Sequence, residues 1–196
     1  FEKLKEEQHK NIDYIALDLE FRKITKQYNE LYAQNANDTT SYDAKFEELN
    51  TQRKNLYQKT NNFVFKNNDF ENNYKLYFNM AEMAFFIYRD NNKLIYDLYK
   101  KVIELNPDFP QKDVIYYKMA VNKQILITNE ITIERERLMR TKDFFSKPLP
   151  ENVKKTPKVY KEVMDNYIQV VKINEDKLRM NSMFRMAQLL FDFAVD

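Results

Sequence analysis

The chain has no glycine, no cysteine and no tryptophan, one histidine and only five prolines in its 196 residues. The missing glycine excludes most. Primed hairpin turns, phosphate-cradling loops and tight left-handed turns all lean on it. A β-sandwich or a doubly wound α/β domain without it would be unusual. Helices joined by polar turns can manage, with asparagine expected to supply left-handed caps. Asn61-Asn62, Asn67-Asn68 and Asn91-Asn92 stand near the expected turns. Without cysteine there is no disulfide, thiol nucleophile or thiolate-bound metal. Charge of one sign is also lacking: 32 basic residues face 30 acidic ones, for a net +2. Such a balance gives no electrostatic case for nucleic acid or an anionic membrane. No run approaches the roughly 18 consecutive apolar residues of a membrane span.

Candidates for chemistry are equally scarce. His9 lies in a charged helical stretch, where an exposed surface residue is the expected reading. Glu6-Glu7 and Glu47-Glu48 read as helix-surface charges, since nothing places them in a cleft. No Walker A, HExxH, GxSxG or EF-hand pattern occurs, and several of these need the absent glycine. The expectation is a protein that is not an enzyme and carries no cofactor or metal.

What is present is enough to build a core. Hydrophobic residues make up 43% and aromatic residues 15%, mostly Phe and Tyr, so ring packing is expected to hold it. The richness in Lys, Asn, Ile, Phe and Tyr also fits AT-rich coding, which lowers the functional weight of the Asn and Lys content.

Residues 1–35 are highly charged, with Leu4, Ile12, Ile15, Leu19, Ile24, Tyr28 and Leu31 near helical spacing. The polar cluster 35–41 reads as a loop, with Thr40 or Ser41 as the next N-cap. Tyr42, Phe46, Leu49 and Leu56 then mark a second helix. Two such helices make an antiparallel hairpin, or the first pairs with another chain. A polar turn is expected over 61–72, and beyond it the helices become rich in aromatic residues and Met. The expected division is a helical hairpin or coiled-coil-like region at 1–68 and a repeat domain at 69–196.

Two short patterns recur in the second region. The first reads Phe78-Asn79-Met80-Ala81, Tyr117-Lys118-Met119-Ala120 and Phe184-Arg185-Met186-Ala187. The second spans 95–107 and 163–175, pairing Ile95 with Val163, Tyr99 with Tyr167 and Val102 with Val170. Between the two copies lies an insertion at about 128–156. It is expected to begin by continuing the helix that starts near Gln111 and to end in a loop with Pro148 and Pro150. Thr156 is expected to cap the next helix, with Pro157 at its first position.

The segment from Ile95 to Pro107 resembles the second helix of a tetratricopeptide repeat, with Ile95, Tyr99, Val102 and Pro107 at that helix's characteristic offsets. It departs from the family in holding Ile95, Val102, Val163 and Val170 at the family's Ala positions and Glu175 where the second copy would close on Pro. The resemblance implies an all-α chain: an N-terminal hairpin followed by antiparallel helix pairs forming a segment of right-handed α-solenoid. Ala81, Ala120 and Ala187 would take the close-packed position of each first helix. A partner-binding groove would then be lined by Phe78, Glu82 and Phe85; by Tyr117, Val121 and Gln124; and by Phe184, Gln188 and Phe191.

The function implied is a non-enzymatic scaffold or adaptor that binds another protein. The order of polar helices before repeats resembles bacterial envelope proteins that join a coiled coil to such repeats. A periplasmic or outer-membrane-associated setting is therefore expected, with a leader or anchor outside this chain, which opens on Phe1. The alternative is a structural or surface-exposed protein that oligomerises through its N-terminal helices and contacts host or envelope molecules. A stacking platform for single strands would need a basic groove, which the sequence does not supply.

Overall fold

The computed structural model describes residues 2–34, 39–67, 70–141, 148–174 and 176–195, without the side chains of residues 3, 4, 34 and 39–42. Among the described residues there are seven α-helices and no strand. They are α1 (Glu2–Gln34), α2 (Thr39–Lys66), α3 (Tyr74–Ile87), α4 (Asn92–Leu105), α5 (Lys112–Met139), α6 (Lys161–Ile173) and α7 (Lys177–Val195). A short 3-10 turn at Glu151–Val153 interrupts the link from α5 to α6. The all-α class expected from the sequence is what folds. No described residue has a positive φ, so asparagine does not supply left-handed caps here. Asn73 and Asn91 instead cap helix starts, their side chains accepting from the Lys75 and Leu94 amides at 3.1 Å. Asn106 and Asn174 close α4 and α6 with φ of −142° and −105°.

The helices form two compact units, Phe1–Asp90 and Asn91–Asp196. In the first, α1 and α2 pack as a hairpin and α3 lies against both. Leu49, Arg53, Leu56 and Thr60 recur at steps of three and four and bury one face of α2. Along the second half of α1 the inward residues are Phe21, Ile24, Tyr28 and Leu31, while Ile12, Ile15 and Leu19 point outward in the first half. The expected stripe thus holds only in the second half of the helix. Counting from Ile24 toward the N-terminus at 3.6 residues per turn leads to Phe21, Leu17 and Tyr14 rather than to Leu19 and Ile15, and those three are the half-buried ones. Leu4 and Tyr42 lie outside the described side chains.

Three boundaries differ from expectation. Helix α2 begins at Thr39, so Thr40 and Ser41 fall inside its first turn, and 35–38 lie outside the described residues. It also runs on to Lys66, so Asn61, Asn62, Phe63 and Phe65 are helical rather than part of a turn. Asn is a weak helix former rather than a breaker, and Phe63 is held edge-on to Phe70 with ring centroids 4.9 Å apart. Thr156 caps a single turn, its hydroxyl accepting from the Val159 amide at 3.3 Å, and α6 starts only at Lys161.

In the second unit α5 packs against α4 and α6, and α7 against α6 and α5. Helices α4 and α6 bury the same register. Ile95, Tyr99 and Val102 on one, and Val163, Tyr167 and Val170 on the other, are all at most 1% exposed. The helix ends match too: the Asn106 and Asn174 amides donate to the Val102 and Val170 carbonyls, both at 2.9 Å. Equal burial follows from equal pattern, since each helix presents the same i, i+4, i+7 wedge to α5.

Three helices of this unit meet in one polar contact. Tyr96 on α4 donates its hydroxyl to Glu162 on α6, and Lys123 on α5 pairs with the same carboxylate at 3.0 Å. Burial raises the pKa of Glu162, but the Tyr96 and Lys123 hydrogen bonds outweigh it and hold the carboxyl below its ordinary value. A folded pKa below the unfolded one gives stability that is present above the unfolded value, about 4.3, and lost as pH falls through the folded value. Glu162→Gln should therefore lower stability near neutral pH and flatten the acid limb of the curve, so that variant and parent converge as pH falls through the folded value. Urea midpoints at several pH values check this, and an unchanged acid limb would show that Glu162 is not held in its charged form.

Candidate functional site

The nine residues expected to line a groove fall into three different surroundings. On α3, Phe78 and Glu82 are half-buried and Phe85 is at the edge of exposure. On α5, Tyr117 sits edge-on to Tyr167 with centroids 6.1 Å apart, Val121 packs on the buried cluster, and Gln124 accepts from the Tyr167 hydroxyl at 2.9 Å. These three side chains are engaged in helix packing. On α7, Phe184, Gln188 and Phe191 face solvent, with the two rings 65% and 69% exposed.

Glu82 lines a cavity of about 120 Å³ in the first unit, among Tyr28, Arg53, Met83 and Phe86. The Arg53 guanidinium lies 4.1 Å from the centroids of both the Tyr28 and Phe86 rings. It is only 4% exposed, and its Nη1 has no hydrogen-bond partner. Burial lowers its pKa, and the charges of Tyr28 and Glu82 partly restore it. A guanidinium does not give up its proton in a protein, so the group offers cation–π attraction and charge rather than acid–base chemistry. It fastens α2 between α1 and α3. Among the described residues no group of His, Asp and Glu is placed to hold a metal ion.

Helix α7 has the more unusual surface. Its inner side buries Ser182 and Leu189 and half-buries Met186 and Phe193, with Phe193 5.6 Å from the Tyr160 ring. The inner side also takes the polar residues Arg185 and Asp192, and Lys155 reaches Asp192 at 3.0 Å. The outer side carries Met180, Met183, Phe184, Leu190, Phe191 and Val195, each 50–72% exposed, with Ala187 and Ala194 also exposed between them. Steps of three and four make these one continuous stripe. A single exposed apolar residue needs no explanation, but a contiguous stripe on one helix is more than scattered surface residues account for.

The placement of Ala187 departs from the expected alignment. Ala81 and Ala120 are fully buried, as a close-packed small residue would be, whereas Ala187 faces outward and Ser182 is the fully buried small residue of α7. Apolar residues run nearly all round this helix, so the sequence alone does not fix which face turns inward. A signal was available in Ser182, Arg185 and Asp192, which share one side; hydrogen-bonding groups of this kind can also sit inward when neighbouring helices supply partners. Ser182 Oγ has no such partner. Ser182→Ala should raise stability by about 1 kcal/mol, combining removal of a desolvated hydroxyl with better helix propensity. A drop in thermal midpoint instead would mean that the hydroxyl is bonded in solution.

The chain is thus an all-α protein whose helices pack on their neighbours within each unit, with an apolar helix face left open on α7. No protein-family model, no curated protein and no solved structure matches it. No helix among the described residues is long and apolar enough to cross a membrane.

Proposed function

We propose that this chain is a non-enzymatic protein–protein interaction scaffold built from helix pairs of the tetratricopeptide-repeat type, and that it binds through the outer face of α7. The observation that carries this reading is the unbroken apolar stripe from Met180 to Val195. The repeat reading is supported by the shared register of α4 and α6. Each position of α6 follows its α4 counterpart by 68 residues (95 to 163, 99 to 167, 102 to 170). That is twice the roughly 34-residue period of the family. The long α5 and the link after it take up the additional length. Phe184 and Phe191 are the anchors, since exposed aromatic rings of this kind dominate binding energy at helix-in-groove and helix–helix contacts. A bacterial envelope setting accords with the order of polar helices before helix pairs.

A second reading, oligomerisation through the N-terminal helices, is favoured by Ile12, Ile15 and Leu19, which are 54–60% exposed at steps of three and four on α1. The two readings separate in one experiment. The parent chain, a Phe184→Ser/Phe191→Ser variant and an Ile12→Ser/Leu19→Ser variant are matched for helicity by circular dichroism and used to capture proteins from the native source. The proposal expects a binding protein, another copy of the chain included, to be lost with the α7 variant and kept with the α1 variant. The reverse pattern would transfer the function to α1.

A further inference from the structure

We propose that the occupant of the α7 face is a second copy of this chain, paired antiparallel about a two-fold axis at Ala187; this rests on the preceding reading of that face and names its partner. Three observations point to self-pairing. First, the stripe is symmetric about Ala187: exposed apolar positions fall three, four and seven residues to either side, at 184 and 190, 183 and 191, and 180 and 194. A two-fold axis there sets Met183 against the partner's Phe191 and Phe184 against the partner's Leu190. The small Ala187 meets its own copy where two helices approach to about 8–10 Å. An isologous contact requires this kind of self-complementarity.

Second, the area is what such a contact needs. The six large side chains, half to nearly three-quarters exposed, present roughly 700 Å² if a fully exposed aromatic ring offers about 150–250 Å². A stable standard-size interface buries about 800 Å² per partner, so the stripe with its flanking polar residues suffices. Third, charge favours one direction. Lys177 and Arg179 are exposed in the first turn of α7, and the other end of the helix carries the negative pole of its dipole. Antiparallel pairing brings the basic end of one helix toward the negative pole of its partner, whereas parallel pairing stacks like charge on like and aligns the helix dipoles unfavourably.

Sedimentation equilibrium of the purified chain tests the pairing, and engineered cysteines test its direction in a protein that has none of its own. The 23.9 kDa chain should sediment at twice its mass at micromolar concentration. Phe184→Asp/Phe191→Asp should weaken the association by at least about a hundredfold, as expected for loss of two aromatic anchors. Ile12→Ser/Leu19→Ser should leave it unchanged. Ala187→Cys should oxidise to a covalent dimer. Met180→Cys should not, because antiparallel pairing sets that residue about 21 Å from its own copy at 1.5 Å per residue. A dimer in which Met180→Cys also cross-links would overturn the antiparallel arrangement. A dimer dissolved by the α1 changes and not by the α7 changes would overturn the site. A parent chain that stays monomeric would overturn self-pairing; if that monomer still captured another protein through Phe184 and Phe191, the binding face would stand with a different occupant.

Discussion

Replacing Tyr167 with Ala should cost about 3–5 kcal/mol of stability, the range for truncating a large buried aromatic side chain, whereas Phe184→Ala in the dissociated chain should change it by no more than about 0.5 kcal/mol. Both are aromatic residues on helices of the second unit, and their environments are opposite. Tyr167 is fully buried at the middle of α6, edge-on to Tyr117, with its hydroxyl bonded to Gln124. It shares a cluster with Ala120, Ile127, Tyr160, Val163 and Leu189. Removing the ring opens a cavity that rigid neighbouring helices close only in part, and it leaves Gln124 without that donor. Phe184 has most of its surface in water already. Urea unfolding at low protein concentration compares the two directly. If Phe184→Ala proved as costly as Tyr167→Ala, α7 would have to be turned about its axis, and the open face would lie elsewhere.

The second large effect is expected in alkali. Burial pushes the Tyr167 phenol well above its ordinary range, with Arg185 pulling it partly back. Burial and then the hydrogen bond to Glu162 push Tyr96 up in the same way. In the first unit, burial raises Tyr57 and Tyr77 as well. Each of these groups has a folded pKa above its unfolded value of about 10. Their contribution is therefore complete below about pH 10 and is lost as pH rises toward the folded values. Unfolding by urea should become easier from about pH 10 upward. Ultraviolet titration should show part of the fourteen tyrosines ionising only as helicity disappears. Smooth ionisation of all of them with helicity intact would contradict the burial of these phenols.

Much of the fold was legible because the absence of glycine and the helical spacing of apolar residues pointed the same way. The positions of α3, α4, α5 and α7 follow from those runs. The matching of Ile95, Tyr99 and Val102 with Val163, Tyr167 and Val170 holds to the level of burial. What failed to read were positions where composition does not discriminate. Helix α7 is apolar on most sides, so alignment by Ala187 chose one face while the packing of Ser182 and Leu189 takes another. Asn61-Asn62 resembled a turn because asparagine is common in turns, yet the Phe63–Phe70 contact supports a continuous helix to Lys66. Arg53 was invisible as a core residue, because nothing local tells that Tyr28 and Phe86, from two other helices, close over its guanidinium.

Thiol footprinting shows whether the outer face of α7 is covered by protein when this molecule acts. A single cysteine is placed at Gln188, an exposed polar position beside the stripe, and for comparison at Ile133, an exposed position on α5. Alkylation rates are measured in dilute protein, in concentrated protein and in extract of the native source. The expected result is that Gln188→Cys reacts as fast as Ile133→Cys when dilute and becomes protected, alone of the two, on concentration or in extract. Equal and unchanged rates at both sites under all three conditions would mean that the α7 face stays bare and is no binding surface.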